Sequence, residues 1–378
     1  MRIGIDCRFY SSKFTGIGRY TFELVRNLLE IDQKNEYVLF FNEPEYSLFY
    51  PFCAHRNFKN CKGILVNAGH YSFREQTVFL KKLYEAKLDL VHFTHFNAPI
   101  LYRQPCVVTI HDLTPSFFPG KKFNKWQYKL GYNLILSSII KRSKKIIAVS
   151  QNTEKDILKI FPKAADKISV IYESVAEEFL RKPKHPVDLK SKYNLKQDFI
   201  LYTGVWRDHK NVVGLIKAFA KLKHNANLDG QLVITGKNDP FYPEVKKTVK
   251  DLNLSQEVIF TGLVPEEDLI SLYHQCQIYV FPSFYEGFGL PVLEAFAVNK
   301  PLVCSNISSL PEIAGQSNAE FFDPYNIDDM ADKIFKVWND ENLQKKLILN
   351  GQKRLQDFSW EKMAQETLAI YLNVFSHH

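Results

Sequence analysis

The segment YEGFGLPVLE, at residues 285–294, carries the residues with the clearest chemical potential in this chain. Glu286 and Glu294 lie on either side of a turn that contains two glycines, with seven residues between the carboxylates. Glycine permits backbone conformations and close approaches that a side chain would block. Pro291 is compatible with the first turn of a helix. The segment therefore predicts a strand end, a tight turn and the N-terminus of a helix.

Such a turn is suited to binding an anion, because unpaired N–H groups and the helix dipole both favour negative charge. Two carboxylates would be poor ligands for phosphate alone, but they suit a ligand with both phosphate and hydroxyl groups, such as a nucleotide sugar. Glu286 and Glu294 could instead be a glycosidase acid/base pair about 5–9.5 Å apart. A surface glutamate and a helical glutamate favoured by the dipole are a third interpretation. The position at a strand end favours a functional role.

A second group of polar residues follows the strand in YTGVWRDHKNVVGLIKAF, at residues 202–219. The pattern predicts a strand, a basic loop and an amphipathic helix that begins near Asn211. Arg207, His209 and Lys210 lie where a diphosphate would be held, with lysine as a point charge and arginine as a fork. The alternative is an ordinary exposed basic loop.

The N-terminal motif TGIGRY, at residues 15–20, contains Gly16-x-Gly18. As a dinucleotide-binding fingerprint it is weak, because nine residues separate it from the first strand and a third glycine is absent. It could be a loop where the backbone approaches a ligand, or simply the turn that starts a helix.

The motif VVTIHDLTP contains His111 and Asp112 at the predicted carboxyl end of a strand. A lone histidine is often a buried structural residue, but histidine also serves as an acid, a base or a hydrogen-bond donor near neutral pH. The strand-end position favours a functional role for His111.

The elements that must position these residues are short apolar runs that alternate with segments of helical length. The runs are residues 2–6, 36–41, 89–93, 106–112, 145–150, 168–172, 200–204, 231–236, 258–262, 278–283 and 301–305. Runs that are apolar on both faces indicate parallel strands covered by helices. Their alternation with helices predicts doubly wound α/β domains, in which ligands bind at the carboxyl ends of the strands.

Two domains are predicted from the length of 378 residues and from a polar, proline-containing stretch at residues 181–198. The pattern is purely helical after Asp323, and the last helix has apolar residues at helical spacing. We therefore predict domains at residues 1–182 and 183–357, followed by a C-terminal helix at residues 358–378.

The composition, 46% apolar and 24% charged, is typical of a soluble globular protein. No apolar run is long enough to span a membrane and no signal peptide is apparent, so we expect a cytoplasmic protein. The net charge of +8 suits a polyanionic ligand or an anionic surface, and no nucleic-acid motif accompanies it. The six cysteines form no C-x-x-C pair, which indicates reduced thiols and no zinc site.

The segment at residues 117–145 places lysines on one face of a helix and large apolar residues on another. The lysines are Lys122, Lys125 and Lys129, and the apolar residues are Trp126, Leu130 and Leu134. The pattern is compatible with a solvated basic face over a stripe of core residues. The functional alternative is peripheral docking on anionic lipid headgroups.

Together these motifs resemble the retaining GT-B glycosyltransferases of glycosyltransferase family 4. The resemblance covers nearly the whole chain, from IGIDCR and TGIGRYTFELVRNL through TIHDLTP and YTGVWRDHKN to FPSFYEGFGLPVLEAF and FSWEKMAQETLAIY. The E-x7-E element is specific. The TGIGRY opening with TIHDL is similar to the branch that contains bacterial mannosyltransferases of polysaccharide assembly.

The resemblance implies two Rossmann-like domains facing a central cleft, with an acceptor-binding N-terminal domain and a nucleotide-sugar-binding C-terminal domain. It implies a final helix that crosses back to the N-terminal domain, and metal-independent transfer with retention. No cofactor is expected. Because no D-x-D triplet occurs, cationic side chains and a helix dipole would neutralise the leaving group.

The resemblance also implies roles for individual residues. Lys210 matches the lysine that binds the diphosphate, Glu286 the glutamate near the donor sugar, and Glu294 the glutamate that contacts the ribose. Phe288, Gly289 and Leu290 match the turn whose amides face the donor. Gly16 matches the glycine loop near the diphosphate, and His111 the histidine near the reacting sugar.

One departure from the family pattern is Val205, where many members have arginine. We hypothesise that Arg207 or His209 supplies the missing positive charge. The predicted activity is transfer of a hexose, mannose from GDP-mannose in particular, to a hydroxyl of a glycan or lipid-linked acceptor in cell-surface polysaccharide or lipopolysaccharide synthesis. A nucleotide-sugar epimerase and a non-catalytic sugar-nucleotide-binding protein are the alternatives.

Overall fold

A computed structural model describes residues 1–10, 15–56, 58–121, 126–182, 187–195 and 198–376. The chain forms two compact units. Unit 1 comprises Met1–Leu113, Phe123–Glu173 and Ser359–His378, and unit 2 comprises Thr114–Lys122 and Ser174–Phe358. Apart from the short segment Thr114–Lys122, the chain thus passes from unit 1 to unit 2 after Glu173. The domain boundary predicted from the sequence lies after residue 182.

Each unit is built on one parallel sheet flanked by helices. The strands of unit 1 are β1 (Arg2–Asp6), β2 (Glu36–Phe41), β3 (Cys61–Leu65), β4 (Leu90–Phe93), β5 (Cys106–Ile110), β6 (Lys145–Ala148) and β7 (Ile168–Val170). The strands of unit 2 are β8 (Phe199–Thr203), β9 (Gln231–Thr235), β10 (Val258–Gly262), β11 (Ile278–Phe281), β12 (Leu302–Ser305) and β13 (Glu320–Phe322).

Helices connect the strands in both units. They are α1 (Thr15–Ile31), α2 (Glu43–Arg56), α3 (Leu80–Glu85), α4 (Thr114–Phe117), α5 (Trp126–Arg142), α6 (Gln151–Ile160), α7 (Glu177–Leu180), α8 (Leu189–Tyr193), α9 (Val212–Asn225), α10 (Glu244–Asp251), α11 (Glu266–Gln275), α12 (Leu290–Ala297), α13 (Leu310–Ala314), α14 (Ile327–Asn339), α15 (Glu341–Leu355) and α16 (Trp360–Ser376). A π-helical turn covers Glu75–Phe79, and 3-10 turns cover Pro162–Lys167 and Asp208–Lys210.

The order of the strands is that of a Rossmann-like sheet in both units. It is β3-β2-β1-β4-β5-β6-β7 in unit 1 and β10-β9-β8-β11-β12-β13 in unit 2, with parallel pairing throughout. The predicted doubly wound fold is confirmed. In each sheet the order reverses between two neighbouring strands, β1 and β4 in unit 1 and β8 and β11 in unit 2. Ligands of such sheets bind beyond the carboxyl ends of those two strands.

The final helix completes the core of unit 1. Helix α16 packs against α1, and its residues Trp360, Met363 and Tyr371 are buried. The hydroxyl of Tyr371 lies 2.6 Å from Nδ1 of His92, a buried residue of β4. The amphipathic pattern predicted for this helix is therefore used for packing within unit 1.

A buried ion cluster lies beyond the carboxyl ends of β1 and β4. The guanidinium of Arg8 lies 2.7 Å from a carboxylate oxygen of Asp6 and 2.8 Å from one of Glu75, and all three side chains are almost fully buried. The amide of Asn97 also donates to Glu75, over 2.7 Å. Burial raises the pKa of the Glu75 carboxyl, although the Arg8 charge opposes this effect. One arginine is therefore shared by two carboxyl groups inside unit 1.

Helix α5 contradicts the interpretation of its apolar residues as a core stripe. Trp126, Leu130 and Leu134 are 69%, 50% and 55% exposed. The opposite side of the helix is buried instead, through Tyr132, Ile135, Leu136, Ile139 and Ile140. Lys129 is exposed, whereas Lys122 and Lys125 lie outside the described residues. Among the described helices, none is both long and apolar enough to cross a membrane.

Candidate active site

The carboxyl ends of β8 and β11 bring together two of the predicted site residues. Residues 204–211 follow β8 and residues 282–289 follow β11, and the two segments are joined by a hydrogen bond from the amide of Phe284 to the carbonyl of His209 (2.7 Å). Because β8 and β11 flank the reversal in strand order, their ends form the crevice in which this fold binds ligands.

Lys210 and Glu286 form an ion pair in this crevice. The ammonium of Lys210 lies 2.6 Å from Oε1 and 2.8 Å from Oε2 of Glu286, so it is shared by both carboxylate oxygens. The two side chains are only 17% and 11% exposed. The attraction within a partly desolvated pair is stronger than that within an exposed pair, and it holds both groups in one geometry. The site therefore contains a fixed cation and a fixed hydrogen-bond acceptor side by side.

Two serines after β12 hold the turn that carries Glu286. The hydroxyl of Ser308 accepts from the Glu286 amide (3.0 Å) and donates to the Glu286 carbonyl (2.7 Å). The hydroxyl of Ser309 donates to the carbonyl of Phe288 (2.7 Å). Sequence reasoning missed both supporting roles. The available signal was a Ser-Ser pair that begins three residues after a predicted strand, since neighbouring parallel strands end at the same edge.

Gly289 allows the turn to enter a helix. Its φ is +104°, a conformation that L side chains rarely adopt, and a Cβ there would lie 2.8 Å from Cδ2 of buried Leu310. Helix α12 begins at Leu290 with Pro291 in its first turn, as the sequence predicts. The first N–H groups of a helix have no intrahelical partner. The turn thus presents the positive end of a helix dipole beside Lys210 and Glu286.

Glu294 lies one turn further along α12 and ends a chain of hydroxyl groups. Tyr273 donates to its carboxylate over 2.6 Å, Thr203 lies 2.9 Å from the Tyr273 hydroxyl, and Tyr279 lies 2.8 Å from Thr203. Because the carboxylate only accepts, each hydroxyl in the chain donates toward Glu294. Burial and the nearby Glu294 charge raise the pKa of Tyr273 well above its usual value. The Glu294 side chain is therefore positioned by β8 and β11 as well as by its own helix.

The two candidates for a second cation have different surroundings. His209 is buried, and burial together with the charges of Lys210 and Arg207 lowers its pKa to about 3. It is therefore a neutral imidazole at pH 7. Arg207 is exposed and lines a cavity of about 360 Å³ that Lys210 and Glu286 do not line. Val205, at the position where many family members have arginine, is half-buried.

His111 and Gly16 belong to unit 1. Nε2 of His111 donates to the carbonyl of Thr94 (2.9 Å), and Nδ1 lies 2.9 Å from Oε1 of Glu173. Because a carbonyl only accepts, Nε2 is the donor to Thr94, and Glu173 is the second partner of the imidazole. Sequence reasoning missed Glu173, which lies 62 residues from His111. Gly16 lies in the first turn of α1, so the TGIGRY motif is the start of a helix.

Comparison with known proteins identifies both halves of the chain. Residues 187–354 match the family described as glycosyl transferases group 1, and residues 14–179 match glycosyltransferase family 4. The O-antigen chain mannosyltransferase B of Escherichia coli is 27% identical over 379 residues, which cover 94% of this chain and 96% of that protein. The serotype-specific mannosyltransferase WbdA of Escherichia coli is 31% identical over 68% of this chain, which spans only 32% of WbdA.

Solved structures share the fold at lower identity. Anabaena Alr3699/HepE in complex with UDP-glucose has a TM-score of 0.76 at 16% identity, over 99% of this chain and 100% of that one. The lipopolysaccharide glycosyltransferase WaaG has a TM-score of 0.73 at 14% identity, over 98% of this chain and 99% of that one. With two Rossmann-like units and a match to both families, the chain belongs to the GT-B glycosyltransferases that combine a family 4 domain with a group 1 domain.

Proposed function

We propose that this glycosyltransferase moves mannose from GDP-mannose, with retention of anomeric configuration, to a hydroxyl of a growing glycan or a lipid-linked acceptor. The acceptor would be an intermediate of cell-surface polysaccharide or lipopolysaccharide synthesis. The observation that carries the proposal is the Lys210–Glu286 pair at the N-terminus of α12. Relatives named as O-antigen chain and serotype-specific mannosyltransferases support mannose as the sugar.

In the proposed step, the bond between the anomeric carbon and the diphosphate oxygen breaks, and the same carbon forms a bond to the acceptor hydroxyl oxygen. The nucleoside diphosphate leaves with the electron pair of the broken bond, and the proton of the acceptor hydroxyl is released with it. Lys210 and the N-terminus of α12 stabilise its negative charge, in place of a metal ion. Glu286 accepts hydrogen bonds from hydroxyls of the donor sugar, and Glu294 accepts from those of the ribose.

His111 and Glu173 have a supporting part in this proposal. Because Nε2 of His111 is bound to the Thr94 carbonyl, a hydrogen bond from His111 to the reacting sugar requires that this contact opens. Glu173 would then keep the imidazole oriented through Nδ1.

Donor binding tests the proposed identity of the nucleotide and the sugar. A ligand at about 100 times its dissociation constant raises the free energy of unfolding by ~2.7 kcal/mol. We expect GDP-mannose to give a rise of this size, measured as a thermal shift, and UDP-glucose and UDP-N-acetylglucosamine to give much smaller ones. If only a UDP-sugar stabilises the protein, this result contradicts GDP-mannose as the donor. The proposal of glycosyl transfer itself would still stand.

Product analysis tests the reaction. The linkage in the product should have the configuration of the donor by NMR, and turnover should be unchanged by a chelator such as EDTA. An inverted linkage contradicts retention, and loss of turnover with EDTA contradicts metal independence. A new free nucleotide sugar formed without any acceptor would identify an epimerase instead.

We also propose that α5 docks on anionic lipid. Trp126, Leu130 and Leu134 follow one another at intervals of four residues, so they share one exposed face of the helix. Exposed apolar residues beside lysines are typical of helices that lie in the membrane interface. The exposed Lys129 is adjacent to this face.

Sedimentation with phosphatidylglycerol vesicles tests this docking. Each lysine near an anionic surface contributes ~1 kcal/mol, so replacing Lys122, Lys125 and Lys129 with glutamine should weaken vesicle binding about fivefold per residue. The Leu349→Ala variant, which changes an exposed leucine of α15, serves as a control that should bind normally. Binding that is insensitive to the lysine replacements would rule out electrostatic docking.

A further inference from the structure

A cavity of about 360 Å³ lies in unit 2 at the N-terminus of α9. Its lining includes Arg207, Asp208 and Lys217 from the region of α9, and Phe284 and Tyr325 from two other loops. We propose that this cavity binds a sugar unit of the acceptor glycan other than the unit whose hydroxyl reacts. The proposal rests on the proposed function in one respect, the glycan nature of the acceptor.

The cavity presents an aromatic surface to water. The ring of Tyr325 is 68% exposed and stacks on Phe284, with 4.7 Å between the ring centroids and an angle of 18° between the planes. A flat ring held in place by a second ring offers a broad apolar face at little cost in side-chain entropy. The C–H face of a pyranose packs on such a ring through many weak dispersion contacts.

The charged residues of the cavity suit a neutral ligand with many hydroxyl groups. Arg207 and Lys217 only donate hydrogen bonds, whereas Asp208 and Glu244 only accept them. Each sugar hydroxyl both donates and accepts, so neighbouring hydroxyls can pair with both kinds of group. The two carboxylates balance the two cations of the lining, so the cavity offers a phosphate no net positive charge. Glu244 is itself bound by Lys121, whose ammonium lies 2.6 Å away.

Contacts within unit 2 hold the lining of the cavity in place. Asn211 has a φ of +53°, and its amide donates to the carbonyl of Pro324 over 3.0 Å, which ties the start of α9 to the segment before α14. A Cβ at Gly214 would lie 2.2 Å from the Asn211 side chain, so this contact depends on glycine. A binding surface that is already ordered loses little entropy when it binds.

The same two loops serve the cavity and the donor crevice. The loop after β8 carries Arg207 and Asp208 to the cavity and Lys210 to the ion pair with Glu286. The loop after β11 carries Phe284 to the cavity, two residues before Glu286. A glycan held in the cavity is therefore bound by the backbone that also positions the donor. Longer acceptors should gain affinity that short ones lack.

Acceptor length tests the proposal. With the full chain and GDP-mannose, the Tyr325→Ala variant should raise the KM for α-mannotetraose about 5- to 10-fold, the size of an aromatic stacking contribution. Its KM for methyl α-mannoside, which contains only the reacting sugar unit, should not change. The Tyr325→Phe variant keeps the ring and should behave like the wild-type protein. Tyr50→Ala, at an exposed tyrosine of α2 in unit 1, is the matched control and should also behave normally.

Equilibrium binding separates failure of this proposal from failure of the proposed function. In an NMR titration without donor, Tyr325→Ala should weaken α-mannotetraose binding by the same factor, while GDP stabilises wild type and variant equally. An unchanged affinity for the tetrasaccharide, or an equal rise in KM for both acceptors, overturns the glycan site. Competition between GDP and α-mannotetraose for the wild-type protein would assign the cavity to the nucleotide and overturn it as well.

Discussion

The Lys210→Ala variant is expected to lose about 10²–10³-fold in kcat/KM for the nucleotide sugar, because one preorganised group that stabilises developing negative charge contributes about this much. Steady-state transfer assays with the donor varied measure the loss. The ammonium group is held 2.6–2.8 Å from Glu286, so its position is fixed by a contact within the protein. The Lys210→Arg variant should recover only part of the activity, because a planar fork does not reproduce a point charge.

Removal of Lys210 also leaves the nearly buried Glu286 without its cation, so a loss of folding could imitate a loss of catalysis. The double variant Lys210→Ala/Glu286→Gln removes both charges and should regain thermal stability but not activity. Lys221→Ala, which breaks an exposed ion pair of α9 with Asp328, is the control and should transfer normally. If a folded Lys210→Ala protein kept the kcat/KM of the wild-type protein, Lys210 would have no part in the mechanism.

The Arg8→Met variant should lower the free energy of unfolding by about 3–5 kcal/mol, the range found when one partner of a buried ion pair is removed. Methionine fills much of the same space but leaves the carboxyl groups of Asp6 and Glu75 buried without a cation. Chemical denaturation of the full chain measures the change. The Arg56→Met control breaks an exposed pair with Glu30 and should cost well under about 1 kcal/mol.

The deficit of the Arg8→Met protein should depend on pH. Burial already raises the pKa of Glu75 in the folded wild-type chain, and loss of the guanidinium raises it further. A carboxyl group with a raised pKa supports the folded state while it is protonated, and this support is lost as pH rises above the unfolded value of about 4.3. The deficit should thus be smaller near pH 4 than at pH 7. A deficit that is constant across this range would contradict the electrostatic explanation.

Much of the fold could be predicted because parallel strands buried on both faces appear as continuous apolar runs. Two strands escaped this pattern. Strand β3 (Cys61–Leu65) is an edge strand that contains Lys62 and is only half-buried, and β13 (Glu320–Phe322) is three residues long. In α5, the pattern placed Trp126, Leu130 and Leu134 on one apolar face, but that face is exposed and the core covers the opposite one. Only tertiary packing determines which face of a helix is buried.

The site could be predicted as a set of residues but not as a set of contacts. Lys210 and Glu286 are 76 residues apart, and their ion pair depends on the pairing of β8 with β11, which local pattern does not encode. Burial of His209 changes its charge state, because the pKa depends on neighbours that are distant in the sequence. His111 follows β5, whereas its partner Glu173 follows β7. These two strands are not neighbours, because β6 lies between them in the sheet.

The path of the chain has a consequence for the order in which the protein folds during its synthesis. Unit 2 takes nearly all its residues from the continuous stretch Ser174–Phe358, whereas unit 1 needs α16 to fill its core with Trp360 and Tyr371. Domains usually fold on the ribosome from the N-terminus onward. In this chain the first unit to be translated is the last that can be completed, and until then the surface of α1 that receives α16 stays open to water.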